Sequence, residues 1–459
     1  MIQPLLIKGG RIIDPSQGID HSGNILIKDG TIAWLLRDEG QETCLPEHCL
    51  VLDAHRLVVC PGFIDLHCHL REPGFEEKET IATGTEAAAR GGFTTVCCMP
   101  NTNPPIDNKA VVDYVKDKAR KRGIIRVLPI GCISKGRRGE ELAEMGELAQ
   151  AGVVAYSDDS DPVRDSRLMR HALEYSRNFG LPIIDHCEDT TLTEDGVMNE
   201  GWVATRLGLR GMPTIAEEIM VARDIALAEL TKGRLHIAHV STRGSVELIR
   251  RAKEKGVAIT AEVTPHHLTL TEERVMGNEA APQPLSLLSY DTNAKVKPPL
   301  RTRREIEALI LGLKEGVIDA IATDHAPHTE VDKRCEFGLA AFGISGLETA
   351  LGALMGLVHS GELDLPLLIS KLTIEPARII GKEIGTLRMG APGDVTIFDP
   401  EAEWVVDPKA FASKGKNTPL AGRILKGRVM ATVCGGKIVF QDKHLRLEKS
   451  HDIKERVRE

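Results

Sequence analysis

The sequence predicts an α/β chain: a (β/α)8 TIM-like barrel carrying a small β-sandwich domain built from both chain ends. Three observations point there. Eight short apolar runs, at 62–67, 94–99, 126–133, 153–156, 182–185, 235–238, 258–263 and 320–323, alternate with amphipathic segments, as parallel strands joined by helices do. The two ends share a pattern, "IKGGRII" at 7–13 and "VCGGKIV" at 433–439, in which a Gly-Gly pair between apolar runs predicts a hairpin. Ionisable side chains recur where the apolar runs stop, and in a barrel those ends meet at one face. A doubly wound open sheet is the competing architecture, but no G-x-G-x-x-G follows any of the runs.

Taken in order, residues 1–58 form the first part of the β-domain, with "NILIKDGTIAWL" (24–35) as paired strands. Residues 59–385 form the barrel. Its helices include "NKAVVDYVKDKARKRG", "SRLMRHALEYSRNFG", "GSVELIRRAKEKG" and "TRREIEALILGLKEG", each closed by the glycine that stops a helix without a Cβ penalty. Residues 386–459, including "GDVTIFDP" (393–400), complete the β-domain. At 459 residues the chain exceeds the usual size of a single core, which fits a large domain with an appendage.

A formal charge of -8 argues against a nucleic-acid or anionic membrane surface. The short basic runs "KARKRG" (118–123) and "RTRR" (301–304) read as solvated helix faces. No apolar run approaches the roughly 20 residues that span a bilayer, and the N-terminus lacks a signal-like apolar stretch. The expected setting is the cytoplasm, with the ten cysteines as reduced thiols. No C-x-x-C pair offers a thiolate metal site.

The polar residues at the run ends carry the chemistry. "DLHCHLREPG" (65–74) places His67 and His69 two residues apart, where strand geometry turns both to one side. Alone, such a pair is more often two ordinary core or surface histidines. Here Asn101 follows the second run, Asp158 and Asp159 close the fourth, His186 the fifth, His239 the sixth and Asp324 the eighth. Imidazole nitrogens and carboxylate oxygens converging on one mouth suit Zn2+, as one ion or two, and the chemistry they support is hydrolysis. His236, three residues before His239, faces the other way. His266 and His267 lie past the seventh strand, outside the ligand set. His325 points elsewhere, whereas His328 can fold over the mouth.

These motifs resemble the amidohydrolase superfamily and, within it, the long type I dihydroorotases. The likeness runs over nearly the whole chain through "PGFIDLHCHLREPG", "ETIATGTEAAARGGFTTVCCMPNTNP", "SDD", "DHCED", "HVST", "PPLR", "IATDHAPHT" and "FGISGLET". It implies that His67, His69, Asp159, His186, His239 and Asp324 bind zinc. Asp159 rather than Asp158 is taken from its spacing, 27 residues before His186. It further implies that Arg71 and Asn101 hold a substrate carboxylate, that His69, His328, Phe342 and Gly343 surround a dihydropyrimidine ring, and that Asp324 also carries a proton.

Hydantoinases and dihydropyrimidinases have a carboxylated lysine at the fourth strand end, and this chain has none. Three positions depart from the family: Lys297 replaces a frequent Asn before P-P-L-R and puts a cation at a substrate contact, Ser160 replaces a common Gly, and Ala341 a frequent Pro. The implied activity is the interconversion of N-carbamoyl-L-aspartate and L-dihydroorotate in pyrimidine synthesis. The alternatives are another cyclic-amide hydrolase such as an allantoinase, or a partner-dependent subunit of an aspartate transcarbamoylase complex. A homo-oligomer is expected.

Overall fold

Parallel strands close a ring. In the computed structural model, which describes residues 3–37, 46, 48–277 and 289–449, Phe63–Cys68, Phe93–Cys98 and Arg126–Pro129 form one parallel sheet. Ile183–Asp185, Leu235–Ile237, Ile259–Val263 and Ala320–Ile321 form another. Tyr156 bridges Gly131 and Ile183 on one side, and Cys68 bridges His325 on the other. The circuit thus has eight positions.

The fourth position departs from expectation. The run 153–156 is reduced to the bridging residue Tyr156 rather than a full strand, and the third strand stops at Pro129 instead of reaching 133. Asp158 Oδ1 accepts the backbone N–H groups of Ile133 and Ser134 at 2.9 and 3.1 Å, so those donors are not available to carry the third strand as far as 133. The segment is still tied on both sides, with Val154 N–H on Pro129 O and Tyr156 N–H on Pro182 O, each at 3.1 Å.

Helices flank the ring. Asn108, Asp165 and Thr242 cap Lys109–Arg122, Ser166–Ser176 and Arg243–Glu254 by accepting first-turn N–H groups. One buried cluster joins Ile64, Cys97, Ile130, Ala155, Ile184, Ala238 and Ala320 to Ala377 and Ile379 of the helix Ile374–Ile379. Only the interior of a closed ring lets residues from seven strand positions share one cluster. The helix therefore packs against the inner core.

The chain ends build one nine-stranded sheet in the order Lys437–Gln441, Ile424–Cys434, Val395–Val405, Val58–Pro61, Leu5–Asp14, Ile19–Lys28, Thr31–Arg37, with Leu50–Asp53 and Leu447–Lys449 branching beside Leu5–Asp14. Leu5, Ile12, Ile25, Ile32, Val59, Val395 and Ala431 share its core. The strand Val58–Pro61 straddles the expected boundary at 58.

The hairpin expected at "IKGGRII" does not form, because those residues lie within the single strand Leu5–Asp14. Gly9 takes a left-handed φ of 73°, its N–H is bonded to Asn24 Oδ1 at 2.9 Å, and the register slips between Ile7 and Gly10. The Gly-Gly pair here makes a bulge rather than a turn. The similar pair Gly435–Gly436 does turn the chain, between Ile424–Cys434 and Lys437–Gln441.

"RTRR" also departs from the solvated face expected of it. Arg301 is buried, donating to Asn199 Oδ1, Met212 O and Ser241 Oγ at 2.7, 2.9 and 3.1 Å. It sits before the helix Arg303–Lys314, so its charge serves the strand-end loops instead of solvent. No helix among the described residues is long and apolar enough to cross a membrane.

Candidate active site

The strand ends bring four imidazoles and two carboxylates together. His67 lies in the first barrel strand and His69 one residue past it, with ring centroids 5.4 Å apart. His67 Nε2 lies 3.4 Å from Asp159 Oδ1 and 3.5 Å from Asp324 Oδ1. His69 Nε2 lies 3.2 Å from Asp324 Oδ1, and His239 Nε2 3.6 Å from Asp159 Oδ1. His186 Nδ1 faces His239 Nε2 at 2.9 Å. Asp158 is not among them, its carboxylate being spent on Ile133 and Ser134. His239, Asp324 and Arg71 all hold left-handed backbone, at φ 32°, 45° and 62°, a conformation costly for side-chain-bearing residues and concentrated here at one mouth.

Three neighbours set which nitrogen of each ring is free. Glu262 Oε1 takes His67 Nδ1–H at 2.7 Å, Asn101 Oδ1 takes His69 Nδ1–H at 2.8 Å, and Glu188 Oε2 takes His186 Nε2–H at 3.0 Å. Each leaves the opposite nitrogen with its lone pair toward the cluster. His67 Nε2 and Asp159 Oδ1 are buried without a hydrogen-bond partner among the described residues. Burying such groups unpaired is costly, and His67, Asp159 and His239, like His67, His69 and Asp324, are close enough to share an ion. The donor set fits one or two divalent metals of borderline softness.

The electrostatics follow from that crowding. Burial would raise the carboxyls of Asp159 and Asp324, but the surrounding imidazoles outweigh it and hold both below the usual range. Burial likewise opposes the charged form of His67, yet Asp159, Glu262 and Asp324 favour it, so a proton on Nε2 competes with a metal ion for the same lone pair. Burial lowers Arg71 only to about 10, so its guanidinium stays charged at physiological pH. Burial, then the charges of Arg71 and Lys333, push His328 down to about 3, leaving it a neutral ring.

A cavity of about 330 Å³ opens onto the cluster, lined also by Arg71, Asn101, Lys297, His328, Phe342 and Gly343. Asn101 has its oxygen engaged by His69, which leaves its amide donors as the polar group for the cavity. His328 Nε2–H donates to Phe342 O at 2.8 Å. Lys297 Nζ lies 2.8 Å from Glu188 Oε2, so this cation sits beside the carboxylate that orients His186. Of the histidines set aside, His236 is bonded to Thr260 and Glu262, His267 to Thr264 and Pro298 O, and His325 lies 3.3 Å from Glu79.

Residues 203–440 match the family described as "Amidohydrolase family", and residues 56–245 the one described as "Dihydro-orotase-like". The chain is 52% identical over 437 residues to the dihydroorotase of Citrifermentans bemidjiense, covering 95% of this chain and 99% of that protein. It is 53% identical over 446 residues to the dihydroorotase of Pelotomaculum thermopropionicum, covering 96% and 100%. The chain belongs to the dihydroorotase family of amidohydrolases. Among solved structures, the L-hydantoinase (dihydropyrimidinase) from Arthrobacter aurescens superposes with a TM-score of 0.84 over 98% of both chains at 24% identity, a likeness of fold.

Within this dihydroorotase-family site, Glu262, Glu188 and Asp65 escaped the reading of the sequence. Asp65 accepts Thr323 N–H and Oγ1–H at 2.8 and 2.6 Å, pinning the first strand to the eighth beneath the cluster. The available signal was a carboxylate inside an apolar strand, as in "ITAEV", which cannot be buried without a partner. For Glu262→Gln, metal affinity should fall by about 10- to 100-fold, because the neutral amide orients His67 less firmly. Titration of the apo-protein with Zn2+ measures it, and unchanged affinity would remove Glu262 from that role. Asp159→Ala should likewise lower metal content while Asp158→Ala leaves it nearly unchanged, and the reverse pattern in metal analysis would reassign the carboxylate.

Proposed function

We propose that this dihydroorotase-family chain interconverts N-carbamoyl-L-aspartate and L-dihydroorotate with zinc as its metal, held by His67, His69, Asp159, His186, His239 and Asp324. The observation that carries the reading is the pairing, in one cavity, of that donor set with a charged guanidinium and an amide at its wall. When bound, the metal supplies Lewis-acid polarisation of the amide carbonyl and a more acidic attacking water.

The chain's own residues do the rest. Arg71 and the Asn101 amide hold the ring carboxylate and so fix the reacting carbonyl against the cluster. His328, Phe342 and Gly343 border the ring, and Lys297 adds a cation at the wall. Water oxygen bonds to the carbonyl carbon as that water yields a proton to Asp324. The carbon–nitrogen bond then breaks, and Asp324 returns the proton to the departing ring nitrogen. The reverse sequence closes the ring.

The same reading assigns residues 59–385 to catalysis and 1–58 with 386–459 to the supporting β-domain. It places the enzyme in the cytoplasm as a homo-oligomer able to associate with aspartate transcarbamoylase. The deciding experiment is a panel of dihydroorotate, dihydrouracil and allantoin with the purified chain, run beside metal analysis and repeated with the transcarbamoylase added. Preference for dihydroorotate with one to two zinc ions per chain is expected. Preference for allantoin or dihydrouracil would sink the substrate assignment, and full turnover by verified metal-free protein would sink the metal.

A further inference from the structure

A segment between two strands of the β-domain reaches back over the barrel mouth. It lies between Val395–Val405 and Ile424–Cys434 and carries Asn417. The Asn417 side chain is buried and its bonding capacity is filled. Its Nδ2 donates to Ala326 O at 3.0 Å and to Gly343 O at 2.9 Å, and its Oδ1 accepts from His328 N and Ser345 Oγ at 3.0 and 2.8 Å. Its own carbonyl accepts Ser345 N–H at 2.8 Å. Ala326, His328 and Gly343 line the substrate cavity, whereas Asn417 does not.

The rest of the segment is fixed in the same way. Ser413 Oγ bonds Glu79, the carboxylate that also faces His325. Lys416 Nζ ties off Phe411 O and Ser413 O at 2.7 and 2.6 Å. Gly415 passes so near the loop after the eighth strand that a Cβ there would stand 2.4 Å from Pro327 Cβ. On the far side, Lys333 Nζ donates to Ala341 O and Gly343 O at 2.7 and 3.1 Å, so the backbone around Phe342 is held from two directions.

We infer that Asn417 is a positioning residue for the substrate: it sets the distance between the two loops that carry His328 and Gly343, and thereby the width of the cavity wall that meets the ring. The inference rests on the function proposed above. It makes the β-domain part of the binding machinery, since the strap that closes the wall is an excursion from that domain's sheet.

Asn417→Asp tests it. The substitution keeps the size and the Oδ1 acceptor but turns an oxygen toward two carbonyls, so two buried bonds become repulsions. The KM for dihydroorotate should rise roughly tenfold, kcat per folded molecule should change less, and metal content should stay at the wild-type value. A merely structural role would lower the folded fraction and the apparent kcat with KM unchanged, and that result overturns the inference. Gly415→Ala serves if Asn417→Asp does not fold. It displaces the Pro327 loop and presses on Ser345 Oγ while leaving the Asn417 amide itself unchanged, and it should raise KM in the same direction, whereas an unchanged KM overturns the inference. Should the wild-type chain prefer another cyclic amide, the proposed function fails, and the role of Asn417 is judged on the KM for that substrate.

Discussion

Asp324→Asn should lower turnover by about 10² to 10⁴, the range expected when a general acid–base group is removed. The amide keeps an oxygen and nearly the same size, so the contact with His69 Nε2, now 3.2 Å, can persist. What disappears is the basic site. The position suits a proton carrier, because Asp324 borders both the cavity and the His67–His69 group. Its backbone is held at φ 45°, which fixes the carboxylate's direction at some cost in strain. The pH profile of kcat distinguishes this loss from loss of metal, provided metal content is measured on the same sample. Near wild-type turnover with an unchanged profile would move proton transfer to another group.

The placement of Asp324 illustrates what could be read in advance. Strand-end position is a topological property, and the alternation of apolar runs with amphipathic segments is enough to put His67, Asp159, His186, His239 and Asp324 at one mouth. Side-chain direction is a finer matter. Asp158 and Asp159 are neighbours in a segment without regular strand geometry, so periodicity could not separate them. Long-range hydrogen bonds to Ile133 and Ser134 decide where Asp158 turns. Arg301 looked solvated because it begins a basic run, and its acceptors Asn199, Met212 and Ser241 are remote in sequence. The same holds for Glu262 and Asn417, whose partners lie across the barrel mouth or in another domain. The Gly-Gly pair at 9–10 failed for a related reason: a left-handed glycine serves a turn or a bulge equally, and the partner strands choose.

Arg71→Met should cost roughly 10- to 150-fold in kcat/KM for dihydroorotate, which corresponds to the about 1.5 to 3 kcal/mol of a charge-assisted hydrogen bond. Methionine keeps an unbranched side chain while removing every donor. Dihydrouracil differs from dihydroorotate by lacking the ring carboxylate, so any turnover of it should hardly change. The preference between the two rings should therefore collapse without loss of metal. Arg71 suits this test because it is not one of the metal donors. It lies in the cavity wall with its Nε 3.3 Å from Pro327 O, and burial leaves it charged. An equal loss on every substrate would mean that Arg71 shapes the cavity rather than reading the carboxylate. In that case selectivity for dihydroorotate would have to come from other donors at the wall, such as Asn101 and Lys297.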